Sequence, residues 1–395
     1  MPRVLAVSTR YPDELRRGFG IFVERQLLEL SGRNGFEIAV VAPLGVRPFP
    51  LSLVGRASKF AGLPERETRR GLTVYRPRFP LVPKLQLGGW TMPPALLRLG
   101  RRLHSERRID VISAEFSWPE APAAVALGRA LGIPVSIKAR GLEFELAVSH
   151  PLRRPRLLAA MRAAAGLLAV SGEVKQRMIG AGLPGERIRV HYPAVDTEKF
   201  AISDRAAAKA TLGFAGPVLL TVGNLIGIKQ QWLAVEALAR LPAATLVIVG
   251  GGPKRRSLER RASALGVADR VRFMGQVHNE LLPVFYNASD ILLHGSSVEG
   301  FANVRLEALA CGTPVVTTTA GEAGRLIRGP EAGLIVAADP YAMAAAAASI
   351  IASPPDRAAT RGAIAEFSWA RATGELAAYF QDLAALGQAV PVSAD

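Results

Sequence analysis

Short, continuously apolar runs alternate with helix-length segments along this chain, and the alternation occurs twice. In the first half the runs are residues 4–8, 36–42, 109–114, 133–139 and 166–170, with helices expected over 21–30, 119–131 and 153–165. In the second half the runs are 218–222, 245–250, 271–274, 291–293 and 314–318, with helices expected near 230–241, 253–265, 279–288, 303–310 and 340–351. A strand that is apolar at every position is buried on both faces, which a parallel sheet covered by crossover helices provides. The 395 residues suit two such units of roughly 150–200 residues each. The reading is an α/β chain with two doubly wound parallel-sheet domains, residues 1–195 and 217–365. A linker is expected over 196–216 and a last helix over 366–388. Residues 43–94, rich in Pro, Gly and Arg, break the rhythm and read as an irregular insert.

The stretch from Ser296 to Val316 bears most on function. Glu299 precedes an expected helix start and Glu307 lies just over a turn inside it. At about 1.5 Å of rise per residue, this places a carboxylate at each end of a polar ligand lying across the helix N-terminus. That terminus offers unpaired N–H groups and a positive dipole end, suited to phosphate. A sugar nucleotide has this pattern of needs, hydroxyls at both ends and an anionic diphosphate between. Taken singly, Glu307 reads equally as a solvated helix residue and Glu299 as a helix cap.

The run Glu299-Gly300-Phe301-Ala302-Asn303-Val304-Arg305-Leu306-Glu307, continuing to Cys311-Gly312-Thr313-Pro314-Val315-Val316, resembles the sugar-nucleotide signature of the family 4 glycosyltransferases. These are retaining enzymes of the GT-B fold, in which two Rossmann-like domains face a cleft and a C-terminal helix crosses back to the first. The resemblance extends over nearly the whole chain, from the Gly18-Phe19-Gly20 loop to Phe367-Ser368-Trp369. It implies that Glu299 holds donor-sugar hydroxyls and Glu307 the ribose. Lys229, with the backbone N–H groups of Phe301, Ala302 and Asn303, would neutralise the diphosphate, and Gly300 is a further donor contact. The loop Val222-Gly223-Asn224-Leu225-Ile226-Gly227-Ile228-Lys229 resembles V-G-R-L-x-x-x-K. Lys229 matches, whereas Asn224 stands where an arginine is usual and supplies no charge. By the same resemblance Gly251, in Gly250-Gly251-Gly252-Pro253, lines the donor cleft, and Val277 meets the nucleobase. Gly18 and Gly20 reach over the diphosphate. Arg140-Gly141-Leu142-Glu143 resembles the family's R-G-x-D turn near the reacting sugar, with Glu143 where aspartate is usual. Contact with sugar hydroxyls and an Arg140–Glu143 ion pair are both open there. Tyr192-Pro193-Ala194-Val195-Asp196 resembles the family's N-G-V-D linker turn.

The resemblance implies glycosyl transfer to a glycan or polyisoprenyl-linked acceptor in surface polysaccharide or glycolipid synthesis, with catalytic roles for Glu299, Lys229 and Arg140. Two other readings stand beside it. One is a non-catalytic or partner-dependent homologue, motivated by Asn224. The other is a different activity of the same fold, such as a sugar-nucleotide epimerase. No cofactor and no metal are expected, because the five histidines show no ligand spacing.

The net charge of +16 is uneven: residues 1–200 carry +15 and residues 201–395 carry +1. Clusters at Arg66, Arg69, Arg70, Arg76 and Arg78, at Arg101, Arg102, Arg107 and Arg108, and at Arg153, Arg154 and Arg156 supply the excess. Such a field attracts polyanions. An anionic membrane surface is the expected partner, an arginine-rich composition being the plainer reading; nucleic acid is not expected, since no groove-reading motif occurs. No apolar run approaches the ~20 residues of a membrane span. The single cysteine, Cys311, excludes an internal disulfide and reads as a buried structural thiol in a reducing cytoplasm. The expected location is cytoplasmic, peripheral at the inner face of the cell membrane.

Overall fold

A computed structural model describes residues 1–47, 60, 62–81 and 87–388. The chain forms two compact units, residues 1–192 with 370–395, and 193–369.

The first unit is built on an eight-stranded sheet. Its order is Ile188–Val190, Gly166–Ala169, Val135–Ala139, Val111–Ala114, Arg3–Val7, Glu37–Val41, Leu72–Tyr75 and Arg66–Arg69. All neighbours run parallel except the last pair, an antiparallel edge hairpin. The opening strand lies between Glu37–Val41 and Val111–Ala114, so strand order reverses there. Arg3–Val7 is wholly buried: Val4–Val7 is apolar throughout, and Arg3 donates to the Leu103 carbonyl at 3.0 Å and pairs with Glu37. The terminal helix Trp369–Gln388 contributes Leu376, Phe380 and Leu383, spaced by four and three, to the core around Val4, Leu30 and Phe36. Phe380 meets Phe36 edge-on at 6.3 Å between centroids.

The described part of 43–94 differs from the irregular insert expected from sequence. It contains the edge hairpin, a parallel pair of short strands, Leu44–Val46 with Arg78–Pro80, and the start of a helix, Pro93–Glu106. Its residues 48–59, 61 and 82–86 lie outside the described residues. Two arginines counted in the surface clusters are internal. Arg76 is 1% exposed, bonded to Glu67 and to the Pro12 carbonyl, and Arg153 is buried.

The second unit holds a six-stranded, wholly parallel sheet. Its order is Val271–Gly275, Thr245–Val249, Val218–Val222, Ile291–His294, Val315–Thr317 and Gly333–Ile335. Order reverses between Val218–Val222 and Ile291–His294. In open α/β sheets, ligands bind outside the carboxyl ends of the strands at such a reversal. Lys229 follows the first of these strands and Glu299 the second. The stretch 196–216 is more than a connection, since it carries the helix Arg205–Leu212, capped by Asp204.

Candidate functional site

The loops at the carboxyl ends of the second sheet dock on one another through backbone. The Gly223 N–H donates to the Val249 carbonyl at 2.9 Å, Leu225 to Gly251 at 3.0 Å, and Lys254 to Leu225 at 3.0 Å. This explains the glycine run. A Cβ on Gly250, at φ 136°, would lie 1.9 Å from the Gly223 oxygen, and one on Gly252 would lie 2.5 Å from the Leu225 oxygen. Gly251 instead borders the Gln276 side chain, in the same turn as the half-buried Val277. Asn224 is exposed, and its carbonyl accepts from Gln231 Nε2 at 3.0 Å.

Lys229 and Glu299, 70 residues apart in sequence, form an ion pair through Glu299 Oε1. The turn Gly227–Lys229 is pinned beside the loop after His294: Ser297 N–H donates to the Ile228 carbonyl at 2.8 Å, and Ser296 Oγ donates to it at 3.0 Å. His294 ends its strand buried, with Nε2 3.1 Å from the same Glu299 oxygen and Nδ1 3.2 Å from Thr317 Oγ1. Burial opposes ionisation of Glu299, but the hydrogen bond from His294 and the Lys229 charge outweigh it and bring its carboxyl down to about 2. Burial lowers His294 from its ordinary value, against the pull of the bond to Glu299. Sequence reasoning missed His294, because a lone histidine closing an apolar strand carries no spacing signal.

The helix Asn303–Ala310 begins after Ala302, which holds a left-handed φ of 56° and gives the helix no side-chain cap. A non-glycine residue in this region costs on the order of 1 kcal/mol. Three contacts maintain it. Arg305, fully buried, donates from Nη2 to the carbonyls of Phe301 at 3.0 Å and Gly321 at 2.5 Å. Phe301 packs on Phe367 at 5.4 Å. Gly321, at φ 66°, leaves no room for a side chain, since a Cβ there would sit 2.5 Å from that of Glu299. Gly300 and Asn303 are half-buried beside them. Glu307 lies one turn further on, where Tyr286 Oη donates to its Oε2 at 2.7 Å. Burial pushes the Glu307 carboxyl up to about 7, the Tyr286 bond and the Lys199 charge offsetting it only in part. Cys311 is fully buried and its thiol is pushed up to about 12, which makes it inert.

The remaining candidates belong to the first unit. Arg140 pairs with Glu115 rather than with Glu143: Nη2 donates to Glu115 Oε2 and Nε to the Glu115 carbonyl, both at 2.8 Å. Its guanidinium lies over Phe22 at 4.8 Å and Phe116 at 5.2 Å. Glu143 accepts from the Arg140 backbone N–H at 2.6 Å, so it fixes the turn. Glu115 is fully buried and also accepts from Gln26 at 3.0 Å and Ser113 at 2.9 Å, with Lys138 3.9 Å away. Lys138 donates to Gln26 at 2.7 Å and lies 3.4 Å from His191 Nδ1; burial lowers it to about 7 and His191 to about 3. Gly20 caps the helix Ile21–Asn34 at φ 75°, and a Cβ there would meet the Arg10 carbonyl at 1.9 Å, so the fold itself demands glycine. Gly18 borders open space. Among the described residues no cluster of His, Cys, Asp or Glu could hold a metal ion, and no helix is long and apolar enough to cross a membrane.

Two parallel α/β units, with acids, a lysine and glycine turns gathered at the strand ends of the second, define a GT-B glycosyltransferase architecture. Residues 18–199 match the model of Glycosyltransferase Family 4, and residues 216–353 that of Glycosyl transferases group 1. The chain is 31% identical over 408 aligned residues to a D-inositol 3-phosphate glycosyltransferase of Acidothermus cellulolyticus, covering 93% of this chain and 90% of that one. A protein of the same name from Geodermatophilus obscurus is 36% identical, over 55% of this chain and 54% of its own length. A GDP-mannose-dependent alpha-(1-6)-phosphatidylinositol monomannoside mannosyltransferase of Mycolicibacterium smegmatis is 34% identical, over 51% of this chain and 56% of its own. Among solved structures, sucrose-phosphate synthase of Thermosynechococcus elongatus matches 98% of this chain and all of its own, with a TM-score of 0.78 at 22% identity. Anabaena HepE in complex with UDP-glucose matches 96% of this chain and 99% of its own, with a TM-score of 0.73 at 19% identity. The chain belongs to the family 4 glycosyltransferases.

Proposed function

We propose that this glycosyltransferase moves a hexosyl group, with retention and without a metal, from a nucleoside-diphosphate sugar to a glycan or polyisoprenyl-linked acceptor in surface polysaccharide or glycolipid synthesis. The observation that carries the reading is the Lys229–Glu299 pair set beside an uncapped helix start, with Glu307 one turn inside that helix. The charges fit an extended ligand in order: Glu299 for sugar hydroxyls, Lys229 and the N–H groups of Ala302 and Asn303 for the diphosphate, Glu307 for ribose. The anomeric C–O bond to the β-phosphate breaks, and the electron pair stays on the leaving diphosphate. There a lysine and oriented N–H donors stabilise charge most as it develops. The acceptor hydroxyl gives its proton to that phosphate and bonds to the anomeric carbon on the same face. In the first unit, Arg140, held by Glu115 and stacked on two aromatic rings, is the residue we assign to sugar hydroxyls on the strength of its R-G-x-D-like turn. The similar proteins named for inositol phosphate and phosphatidylinositol acceptors support an anionic or lipid-borne acceptor. With the +15 of residues 1–200, they support peripheral attachment at the inner face of the membrane.

Thermal denaturation against a panel of UDP-, GDP- and ADP-sugars tests the donor. A ligand at 100 times its Kd stabilises by about 2.7 kcal/mol, and one nucleobase series is expected to raise Tm. Stabilisation by none of them would overturn the reading. Transfer in the presence of EDTA, with the product's anomeric configuration read by NMR, tests metal independence and retention.

A further inference from the structure

The sugar-facing carboxylate has a support behind it that no motif marks. Among the described residues Glu299 takes two side-chain hydrogen bonds, both on Oε1, one from Lys229 and one involving His294 Nε2; Oε2 takes none. An ionised carboxylate only accepts, so Nε2 carries the proton. A neutral ring then has a bare Nδ1, and the groups within its reach include the Thr317 hydroxyl at 3.2 Å, which is able to donate to it. That hydroxyl has a second acceptor within reach, the Thr318 carbonyl at 3.1 Å, so it can turn without breaking the fold. His294 and Thr317 are register partners on adjacent buried strands, which leaves the ring little freedom.

We infer that His294 is a positioning residue for the donor sugar: it keeps Glu299 aimed through Oε1 when Lys229 turns to the diphosphate, leaving Oε2 to receive sugar hydroxyls. The inference rests on the donor reading above. Lys229 and His294 share one oxygen. A diphosphate would compete for the lysine, and among the described residues only the histidine would then still hold the carboxylate. Burial of the ring disfavours its charged form, which suits a group that orients Glu299 by hydrogen bond. Thr317 acts one step further back, favouring the Nε2-protonated ring when its hydroxyl points at Nδ1 rather than at the Thr318 carbonyl.

The test compares His294→Leu, which removes the donor, His294→Gln, whose amide can replace the Nε2–H, and the milder Thr317→Val. UDP-glucose with UDP, and GDP-mannose with GDP, serve as probe pairs in calorimetric titration. His294→Leu is expected to weaken the sugar nucleotide about tenfold or more while weakening the plain nucleotide less than about threefold. His294→Gln is expected to recover most of the loss, and Thr317→Val to show a smaller loss of the same selectivity. Equal losses for both members of a pair, or no loss, would overturn the inference. If the wild type binds none of these pairs, nor ADP-glucose with ADP run as a third, the donor reading fails and this inference with it. A second measurement stands apart from binding and uses ¹⁵N-histidine-labelled protein, with the resonance assigned from the loss of one signal in His294→Gln. The ring is expected in the Nε2-protonated neutral form near neutral pH. An Nδ1-protonated ring cannot donate to Glu299 and would overturn the inference even if sugar nucleotides bind.

Discussion

Tyr286 holds Glu307 by donating its buried phenol to Oε2 at 2.7 Å, across 21 residues of sequence. A carboxyl enclosed in this way and pushed up to about 7 is partly protonated at neutral pH. A group whose folded value lies above its ordinary 4.5 adds stability that is complete below about 4.5 and lost as pH rises through about 7. Ribose hydroxyls need the ionised form as acceptor. Affinity for a sugar nucleotide, whose diphosphate diester has no proton to lose near neutrality, should therefore rise several-fold from about pH 6 to pH 8. Glu307→Gln should flatten the profile, and Glu307→Ala should cost on the order of 1.5–3 kcal/mol of nucleotide affinity. Titration calorimetry at three pH values decides this. A wild-type affinity that does not change with pH would remove Glu307 from the ribose site.

Lys229→Ala should lower turnover more than it lowers nucleoside binding, because its charge matters most as the leaving phosphate develops charge. It should also let the Glu299 carboxyl rise from about 2, since one of the two groups holding it down is gone. Asn224 is exposed beside the same turn, so an arginine there has room. Asn224→Arg should raise the transfer rate with the preferred donor. Initial rates of the two variants separate the roles, and a loss of activity in Asn224→Arg would show that the amide has a function of its own.

The strands were legible because burial on both faces makes most positions apolar, buried exceptions such as Arg3, Ser136 and Lys138 each having a polar partner. Arg3–Val7, Val135–Ala139 and Val218–Val222 fall within two residues of the runs read from sequence. The edge hairpin Arg66–Arg69 with Leu72–Tyr75 was not legible. Its outer strand, Arg-Glu-Thr-Arg, lies at the sheet edge, where one side is solvated and polar residues are tolerated. The short strand Gly333–Ile335 is three residues long and leaves no periodic signal. At the site, the two glutamates and the lysine stood out through their register in a motif. Their supports, His294, Tyr286, Thr317 and Arg305, did not, since each acts through a tertiary contact. Arg140 was singled out with Glu143 as its near neighbour, whereas the fold gives it Glu115, 25 residues upstream.

Glu115 joins two cations in a dry interior, so neutralising it should strand both. Glu115→Gln should destabilise the protein by about 3–5 kcal/mol, the range for breaking a buried ion pair from one side. The loss should widen below about pH 7. In the wild type, Glu115 helps Lys138 to keep a proton down to about 7; without it the folded protein must exclude that proton at lower pH, while the unfolded chain binds it. Urea denaturation at pH 5.5, 7 and 8.5 reads the gap. A gap that does not vary with pH would show that Lys138 carries no charge in the wild type.

Membrane association should be electrostatic and carried by the first unit. Separate halves are a poor probe, because Leu376, Phe380 and Leu383 of the terminal helix complete the core of the first unit. The whole chain is the better reagent. Arg98, Arg101 and Arg154 are exposed, so changing them to glutamine removes surface charge without opening the core. Each basic group near an anionic surface contributes about 1 kcal/mol, so the triple variant should bind anionic vesicles on the order of 100-fold more weakly, up to roughly 150-fold, if all three face the lipid. Wild-type binding should fall as salt rises from about 0.05 to about 0.5 M, where the Debye length shrinks to a few ångströms. Neutral vesicles should recover little protein at any salt. Sedimentation with vesicles of both compositions measures all three outcomes. Binding indifferent to salt would sink electrostatic docking and leave the arginine excess as a property of composition.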